Sequence, residues 1–249
     1  MSGTGLQPVC SAGILPACIG SMNGQNARST HRLQACATLL LALLLCSCSK
    51  RNKDSLKINR WDLFSSALIG KWQEAQLEKS GGIVREANGI TLNEGSPMTG
   101  IVFPSWLKDS LPVVDYAINY EAMRVSGSDF FGSVTFPVRD EKTFATFVLG
   151  GWGGSQVGIS CIDGYDASEN TTGSSQRFEN EKWYRVRIEI REKELRVLLN
   201  GRPIIQTNIA GRTLNLRGGE IAKCAPFGFA TYGTTGRVRG CVIERMPPQ

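Results

Sequence analysis

Histidine is nearly absent from this 249-residue sequence, and the single one, His31, lies in an N-terminal segment that we predict to be removed. The remaining chain has no imidazole for a Ser-His-Asp triad, and a zinc site is disfavoured for the same reason.

Acidic residues are missing before Asp54, and the chain after residue 47 carries 26 basic against 22 acidic side chains. Because this excess is small and no basic cluster interleaves with aromatic residues, we predict no nucleic-acid partner.

Long apolar runs are also scarce, and the apolar core of the N-terminal segment spans only residues 39–45. A membrane-spanning helix needs about 20 apolar residues, so this run is too short to cross a bilayer comfortably. Arg28 and Arg32 precede it, and a basic flank before a short apolar core is typical of a secretory signal peptide. The alternative is an anchor that is not cleaved. Residues 1–21 lack such a flank, which makes Met22 a candidate for the true start.

The end of this segment resembles the bacterial lipobox, with Leu45 at position −3, Ser47 at −1 and then Cys48. We therefore predict a signal peptide over residues 1–47, lipidation of Cys48, a tether over residues 48–60 and a folded domain over residues 61–249. A lipid anchor holds a protein at a membrane surface without a transmembrane helix. The predicted location is the bacterial cell envelope, in the periplasm or at the outer-membrane surface.

Cysteine is sparse in the predicted domain, where only Cys161, Cys224 and Cys241 remain. None of them forms a Cys-x-x-Cys motif. An odd number in an oxidising compartment leaves two alternatives, one disulfide with one free thiol or no disulfide at all.

Helical periodicity is missing as well, since no segment of the predicted domain shows ten or more residues at helical spacing. Residues 113–125 and 183–190 instead alternate apolar and polar side chains, which is typical of strands. Asn88-Gly89 and Asn200-Gly201 are hairpin signals. Many short strands separated by turn residues predict one all-β domain, a sandwich or a barrel.

The most distinctive stretch, residues 126–170, contains a tryptophan with two glycines on either side, Gly150-Gly151-Trp152-Gly153-Gly154. Sugar rings stack on exposed indoles, so Trp152 is a candidate carbohydrate-binding residue. The alternative is a core tryptophan packed under a tight bend. Asp129 and Arg139 are further candidate ligand contacts, although Asp129 also suits a turn.

Three carboxylates follow in a segment rich in turn formers: Asp163, Asp166 and Glu169. A pair of carboxylates can perform acid and base catalysis on a glycosidic bond, so all three are candidate catalytic residues, with Asn170 as a candidate ligand contact. Oxygen ligands in this loop could instead hold Ca²⁺, although no EF-hand spacing is present, and no other cofactor is predicted. The structural alternative is that the side chains form Asx turns or cap a short helical turn.

Several separated motifs together resemble one bacterial family. They are GSDFFGSVTFPV, GGWGGSQVGIS, IDGYDASENTT, WYRVRIEI, LNG and PFGFATYGTTGRVRGCVIERM, in this order. The resemblance covers the chain from about Trp61 to Met246. The chain is similar to the 3-keto-disaccharide (3-keto-glucoside) hydrolases, formerly domain of unknown function 1080, in the variant abundant in planctomycetes. The resemblance implies a concanavalin A-like lectin/glucanase jelly roll of two antiparallel sheets, and an extracytoplasmic protein that binds and hydrolyses 3-keto-glycosides.

Two other functions stay open at this point. A non-catalytic carbohydrate-binding module can share this fold, and so can an envelope domain that binds no sugar, because a fold does not determine a function. The Glu-x-Asp-x-x-Glu run typical of one glucanase group on this fold does not occur, which disfavours an ordinary endoglucanase.

Overall fold

The computed structural model describes residues 59–248, and the predicted signal peptide, the lipidation site Cys48 and most of the predicted tether lie outside them. The regular secondary structure of the described part is mainly strand, with two short 3-10 helices, η1 (Ile69–Lys71) and η2 (Glu220–Cys224). Gly151–Gly154 forms a four-residue turn in which Trp152 and Gly153 have left-handed dihedral angles. Among the described residues no helix is long and apolar enough to cross a membrane. The strands are β1 Arg60–Asp62, β2 Gln73–Glu74, β3 Ile83–Glu86, β4 Gly89–Leu92, β5 Met98–Val102, β6 Tyr116–Gly127, β7 Phe131–Pro137, β8 Phe144–Gly150, β9 Gln156–Ser160, β10 Ser174–Ser175, β11 Trp183–Ile190, β12 Glu194–Leu199, β13 Arg202–Asn208, β14 Gly228–Tyr232 and β15 Thr234–Arg245.

These strands form two antiparallel sheets packed face to face. Sheet A has the order β13-β12-β11-β6-β15-β4-β3, with β1 also paired to β15. Sheet B has the order β10-β9-β8-β7-β14-β5-β2. The predicted all-β fold, a jelly-roll sandwich of two antiparallel sheets, is confirmed.

The core lies between the sheets because each strand turns alternate side chains inward. In β11 the residues Tyr184, Val186, Ile188 and Ile190 are buried, as their alternation predicts. Aromatic rings fill one end of the core, where Trp106 stacks on Phe227 with ring centroids 4.5 Å apart. Such pairs contribute about 0.5–1.5 kcal/mol beyond their burial.

Both predicted hairpins form, but their Asn-Gly pairs play different roles. Asn200 and Gly201 occupy the turn between β12 and β13 with φ of 50° and 80°, as a type I′ turn requires. In the first hairpin Gly89 pairs with Glu86, so the turn residues are Ala87 and Asn88. A Cβ atom on Gly89 would lie 2.3 Å from the carbonyl oxygen of Val238, so this glycine permits close approach of β15.

The three cysteines are unpaired thiols, and all three are buried. Of the two alternatives for these residues, the structure therefore has the one without a disulfide. Burial raises the pKa of Cys224 to about 12 and holds that of Cys241 well above its ordinary value. Both side chains behave as small apolar groups.

The outward face of sheet B differs from an ordinary solvent face. Because Val134 and Phe147 point into the core, their neighbours Ser133, Thr146 and Val148 point away from it, and all three are nevertheless buried. Segments outside the strands therefore cover part of this face. The gap that they leave is the candidate functional site.

Candidate functional site

A cleft of about 440 Å³ lies on the outward face of sheet B. Its floor comes from adjacent strands, and its rims come from the turn Gly151–Gly154, from residues 129–130 and from residues 217–221. The lining residues are Met98, Asp129, Phe130, Ser133, Thr146, Val148, Trp152, Ser160, Asp166, Arg217, Gly218, Glu220, Ile221 and Tyr232. The volume falls within the range of small-molecule sites, about 300–1,000 Å³.

Trp152 stands at the rim of this cleft and is 46% exposed. Its backbone has φ 48° and ψ 54°, a left-handed conformation that a bulky residue rarely adopts. The alternative of a core tryptophan under a tight bend therefore does not hold. The glycines serve instead to turn the indole outward, because Gly150 and Gly153 also have positive φ.

Asp129 fixes this turn from the neighbouring segment of the rim. One carboxylate oxygen accepts the N–H of Gly153 at 2.9 Å, and the other accepts the N–H of Phe130 at 2.8 Å. A Cβ on Gly151 would lie 2.8 Å from the side chain of Val148, so the turn approaches the floor more closely than another residue would allow. Asp129, predicted as a ligand contact, lines the cleft and also holds the tryptophan turn in place.

Arg124 supports the rims from below, and the sequence analysis did not select it. This buried residue of β6 donates to Asn180 Oδ1 at 2.7 Å, to the Phe178 carbonyl at 3.0 Å and to the Gly154 carbonyl at 3.4 Å. Burial lowers the pKa of its guanidinium below the ordinary 12.5, but the group stays charged at neutral pH. Its place among the inward positions of the alternating segment 113–125 was a usable signal, because a buried charge needs partners.

Asp166 is the one of the three predicted catalytic carboxylates that lines the cleft. It accepts hydrogen bonds from Ser160 Oγ and, at 3.6 Å, from Cys161 Sγ, and its Oδ2 lies 2.9 Å from Arg217 Nη1. Burial raises the pKa of the Cys161 thiol, so this sulfur is a protonated donor to the carboxylate and is not a thiolate nucleophile.

Arg217 is a cleft residue that sequence reasoning missed. Its guanidinium lies 5.8 Å from the centre of the Trp152 ring, within the range of a cation–π contact. It therefore connects the aromatic rim to the carboxylate of Asp166. Nothing in the sequence near Arg217 indicates this role, since the loop that carries it reaches the cleft through a bridge between Leu214 and Ile162.

Asp163 points to a different neighbour, although it lies only three residues before Asp166. Its carboxylate pairs with Arg212 Nε and accepts the N–H of Thr213 at 2.8 Å. The hydrogen bond from Arg212 holds the pKa of Asp163 below its ordinary value. Asp163 is not among the residues that line the cleft, and it holds the 212–213 segment against its own turn.

Glu169 and Asn170 likewise serve the loop that carries them. Glu169 Oε2 accepts the N–H of Asp166 at 3.1 Å. The Asn170 amide donates to the carbonyls of Ile159 and Asp166, both at 2.8 Å, and its oxygen accepts the N–H of Thr172 at 2.9 Å. These bonds correspond to the structural alternative of turn formation, and they fix the position of Asp166.

Arg139, the remaining predicted ligand contact, lies away from the cleft. It donates to the backbone carbonyls of Ile209 and, at 3.1 Å, of Arg212. It thereby holds the segment that follows β13 against the turn between β7 and β8.

A second aromatic pair lies beside the tryptophan turn, towards the β14 end of the cleft, where a Cβ on Gly151 would lie 3.9 Å from Phe130 Cδ1. Phe130 and Tyr232 have ring centroids 5.7 Å apart, and Tyr232 is 42% exposed. Glu220 also lines this end. The salt bridge to Lys223, at 2.7 Å, and the N–H of Glu78 hold the pKa of Glu220 below its ordinary value. The sequence analysis named neither Tyr232 nor Glu220, because β14 and η2 are far from residues 126–170 along the chain.

A metal site finds no ready ligand group here. Within residues 59–248, no three side chains of the histidine, cysteine, aspartate or glutamate type gather closely enough to hold an ion. Calcium binding by the acidic loop stays an untested prediction.

Comparison with known proteins identifies the fold but no family. No family model matches the sequence, and no curated protein matches it. The Crh5 transglycosylase in complex with NAG is similar in structure, with a TM-score of 0.51, 11% identity, and coverage of 76% of this chain and 85% of that chain. At such low identity the likeness shows the fold alone.

Two further solved structures resemble the chain more weakly. The carbohydrate binding module CBM66 from Bacillus subtilis has a TM-score of 0.45 and 14% identity, and covers 70% of this chain and 95% of its own. Domain 4 of AbnA, an extracellular arabinanase from Geobacillus stearothermophilus, in complex with arabinotriose, has a TM-score of 0.44 and 12% identity. The match covers 72% of this chain and 84% of that chain. The specific resemblance to 3-keto-disaccharide hydrolases stays a prediction.

Proposed function

We propose that this protein binds a carbohydrate in the cleft of sheet B and hydrolyses a glycosidic bond there, with a 3-keto-glucoside as substrate. The observation that carries the proposal is the exposed indole of Trp152 at the rim of a cleft that also contains the carboxylate of Asp166. An apolar ring for one face of the sugar and a few polar groups for its hydroxyls are what a carbohydrate site requires. The predicted lipid anchor at Cys48 would keep this domain at the cell envelope.

The substrate follows from the chemistry that one carboxylate can perform. A ketone acidifies the hydrogen on the adjacent carbon, and Asp166 would remove that proton as a general base. The electron pair then forms a carbon–carbon double bond as the neighbouring glycosidic C–O bond breaks, and the departing oxygen takes up a proton. Water adds across the double bond to complete the hydrolysis. The resemblance to 3-keto-disaccharide hydrolases points to the same substrate class.

The proposal is tested with the purified protein, a 3-keto-glucoside and its unoxidised parent. We expect sugar to be released from the keto form alone. Chromatography of the products measures this release. Parallel reactions with EDTA test whether a metal ion takes part. A folded sample that releases sugar from neither compound would remove the hydrolase from consideration.

A non-catalytic carbohydrate-binding module is the second candidate, and one observation favours it. Asp163 and Glu169 do not line the cleft. The three carboxylates that do line it, those of Asp129, Asp166 and Glu220, are already held by hydrogen-bond or ion-pair partners. Ordinary glycoside hydrolysis needs two free carboxylates on either side of the bond. Binding of glycans without turnover of either form of the substrate would select this candidate.

A further inference from the structure

The floor of the cleft crosses five adjacent strands of sheet B. Its residues come from β9, β8, β7, β14 and β5, in the order in which these strands pair: Ser160, Thr146 with Val148, Ser133, Tyr232 and Met98. Strands lie about 4.8 Å apart, so the floor extends about 19 Å from β9 to β5. This length is several times that of a single sugar ring.

Aromatic side chains form one continuous rim along this floor. Trp152 stands in the turn between β8 and β9, beside Arg217. Phe130 adjoins this turn, since a Cβ on Gly151 would lie 3.9 Å from its ring, and it packs against Tyr232 of β14. The described part of the chain exposes four large hydrophobic side chains, and Trp152 and Tyr232 are two of them. Exposed rings at two places along one rim suit a ligand with several flat apolar faces.

We infer that the cleft binds an oligosaccharide of several units laid across the strands, with one sugar stacked on Trp152 and another on the Phe130–Tyr232 pair. The inference rests on the proposed function, because it specifies the ligand of the same site. The small side chains of the floor beside this rim, Ser133 and Thr146, leave room for the sugar units.

The charges of the lining select the kind of oligosaccharide. Carboxylates of Asp129, Asp166 and Glu220 face the cleft, against the single guanidinium of Arg217. That guanidinium is already paired with Asp166 at 2.9 Å. An anionic sugar would meet like charges and find the arginine occupied, so the ligand is a neutral oligosaccharide.

The test begins with a glycan array that carries neutral and acidic oligosaccharides of one to six units, probed with the full chain. Calorimetry then measures the dissociation constant for each length of the glycan that binds. We expect affinity to rise at least tenfold between the monosaccharide and the tetrasaccharide. The Tyr232→Ala variant should lose this gain. Tyr165→Ala is the matched control, because Tyr165 is 59% exposed but does not line the cleft.

The outcomes separate the inference from the proposed function. An affinity that is the same for all lengths, or unaffected by Tyr232→Ala, would overturn the inference and leave carbohydrate binding in place. Tighter binding of an acidic chain than of a neutral chain of equal length would overturn the assignment of a neutral ligand. A folded protein that binds nothing on the array would overturn the inference, whereas the proposed function is decided separately by sugar release from the 3-keto-glucoside.

Discussion

The guanidinium of Arg217 lies 5.8 Å from the centre of the Trp152 indole. The same group reaches Asp166 at 2.9 Å, so one side chain contacts both the aromatic rim and the carboxylate of the cleft. The two partners differ in exposure, because the side chain of Arg217 is 59% exposed and that of Asp166 is 14% exposed.

Replacement of Trp152 should weaken carbohydrate binding without loss of stability. We expect Trp152→Ala to reduce affinity by about tenfold, which corresponds to about 1.4 kcal/mol. Calorimetric titration with a glycan identified on the array provides the measurement. Trp183→Ala is the control, because Trp183 lies on the outward face of sheet A, under Arg239 at 3.8 Å. Equal losses in the two variants would contradict a role for Trp152 in the site.

The two aspartates of the acidic loop should behave differently. Asp166→Asn should abolish turnover of the 3-keto-glucoside and keep binding, because the amide preserves the shape but cannot act as a base. Asp163→Asn should keep turnover, since Asp163 pairs with Arg212 outside the cleft. Initial rates of sugar release and dissociation constants distinguish the two effects. Loss of turnover only in Asp163→Asn would contradict the assignment.

Arg124 should matter for both stability and binding. Arg124→Met leaves Asn180 Oδ1 and the carbonyls of Phe178 and Gly154 without their donor, and each such loss costs about 1–3 kcal/mol. We expect the free energy of unfolding in urea to fall by at least about 2 kcal/mol, with weaker glycan binding at temperatures where the variant is folded. Arg124→Lys should recover only part of the loss, because an ammonium lacks the planar fork of donors. Wild-type behaviour of Arg124→Met would contradict the positioning role.

Glycine is required at position 154 both by its positive φ and by the close contacts that a Cβ would make. A matched pair of variants separates these two effects. A Cβ at Gly154, with φ of 103°, would lie 2.6 Å from the Ser128 carbonyl and 2.7 Å from Arg124 Nη1. Gly164 also has positive φ, 85°, but its surroundings are open. Gly164→Ala should cost about 1 kcal/mol from the backbone alone. Gly154→Ala should cost clearly more in urea unfolding and should also weaken glycan binding.

Acidification should destabilise the fold partly through Glu86. Hydrogen bonds from Arg237 hold the pKa of Glu86 below its ordinary 4.5. A carboxylate with a lowered folded pKa contributes stability that is complete above about pH 4.5 and is lost as the pH falls through the folded pKa. Glu86→Gln and Arg237→Gln should both flatten the loss of unfolding free energy between pH 5 and about pH 3. An unchanged slope in both variants would contradict this contribution.

Local pattern was sufficient to predict most of the strands. The alternation of residues 183–190 gave the bounds of β11 because one face of that strand is fully buried. Residues 113–125 predicted the long strand β6 but placed its start early, since regular pairing with β11 begins only at Tyr116. The residues of the turns were harder to predict from local sequence. Gly89 was predicted as a turn residue, but a glycine is needed there because β15 approaches closely, and no local pattern shows such an approach.

The candidate site could be predicted only where its residues are close in sequence. Trp152, Asp129 and Asp166 belong to one stretch and meet in one cleft. Arg217 and Tyr232 reach it through pairing between distant segments, and that pairing is a property of the fold as a whole. The carboxylates of Asp163 and Glu169 diverge from Asp166 because each meets a different local donor in a tight turn.

Arg124 belongs to sheet A, yet it donates to the carbonyls of Asp129 and Gly154, in two of the segments that frame the cleft on sheet B. The separation of the two sheets at this end therefore sets the position of the tryptophan turn. Phe131, Phe178 and Tyr184 pack around one another here, and the Phe131 ring lies 5.3 Å from the Arg124 guanidinium. Ligand preference in such a protein can thus evolve through exchanges of core aromatic residues, with every residue that lines the cleft left unchanged.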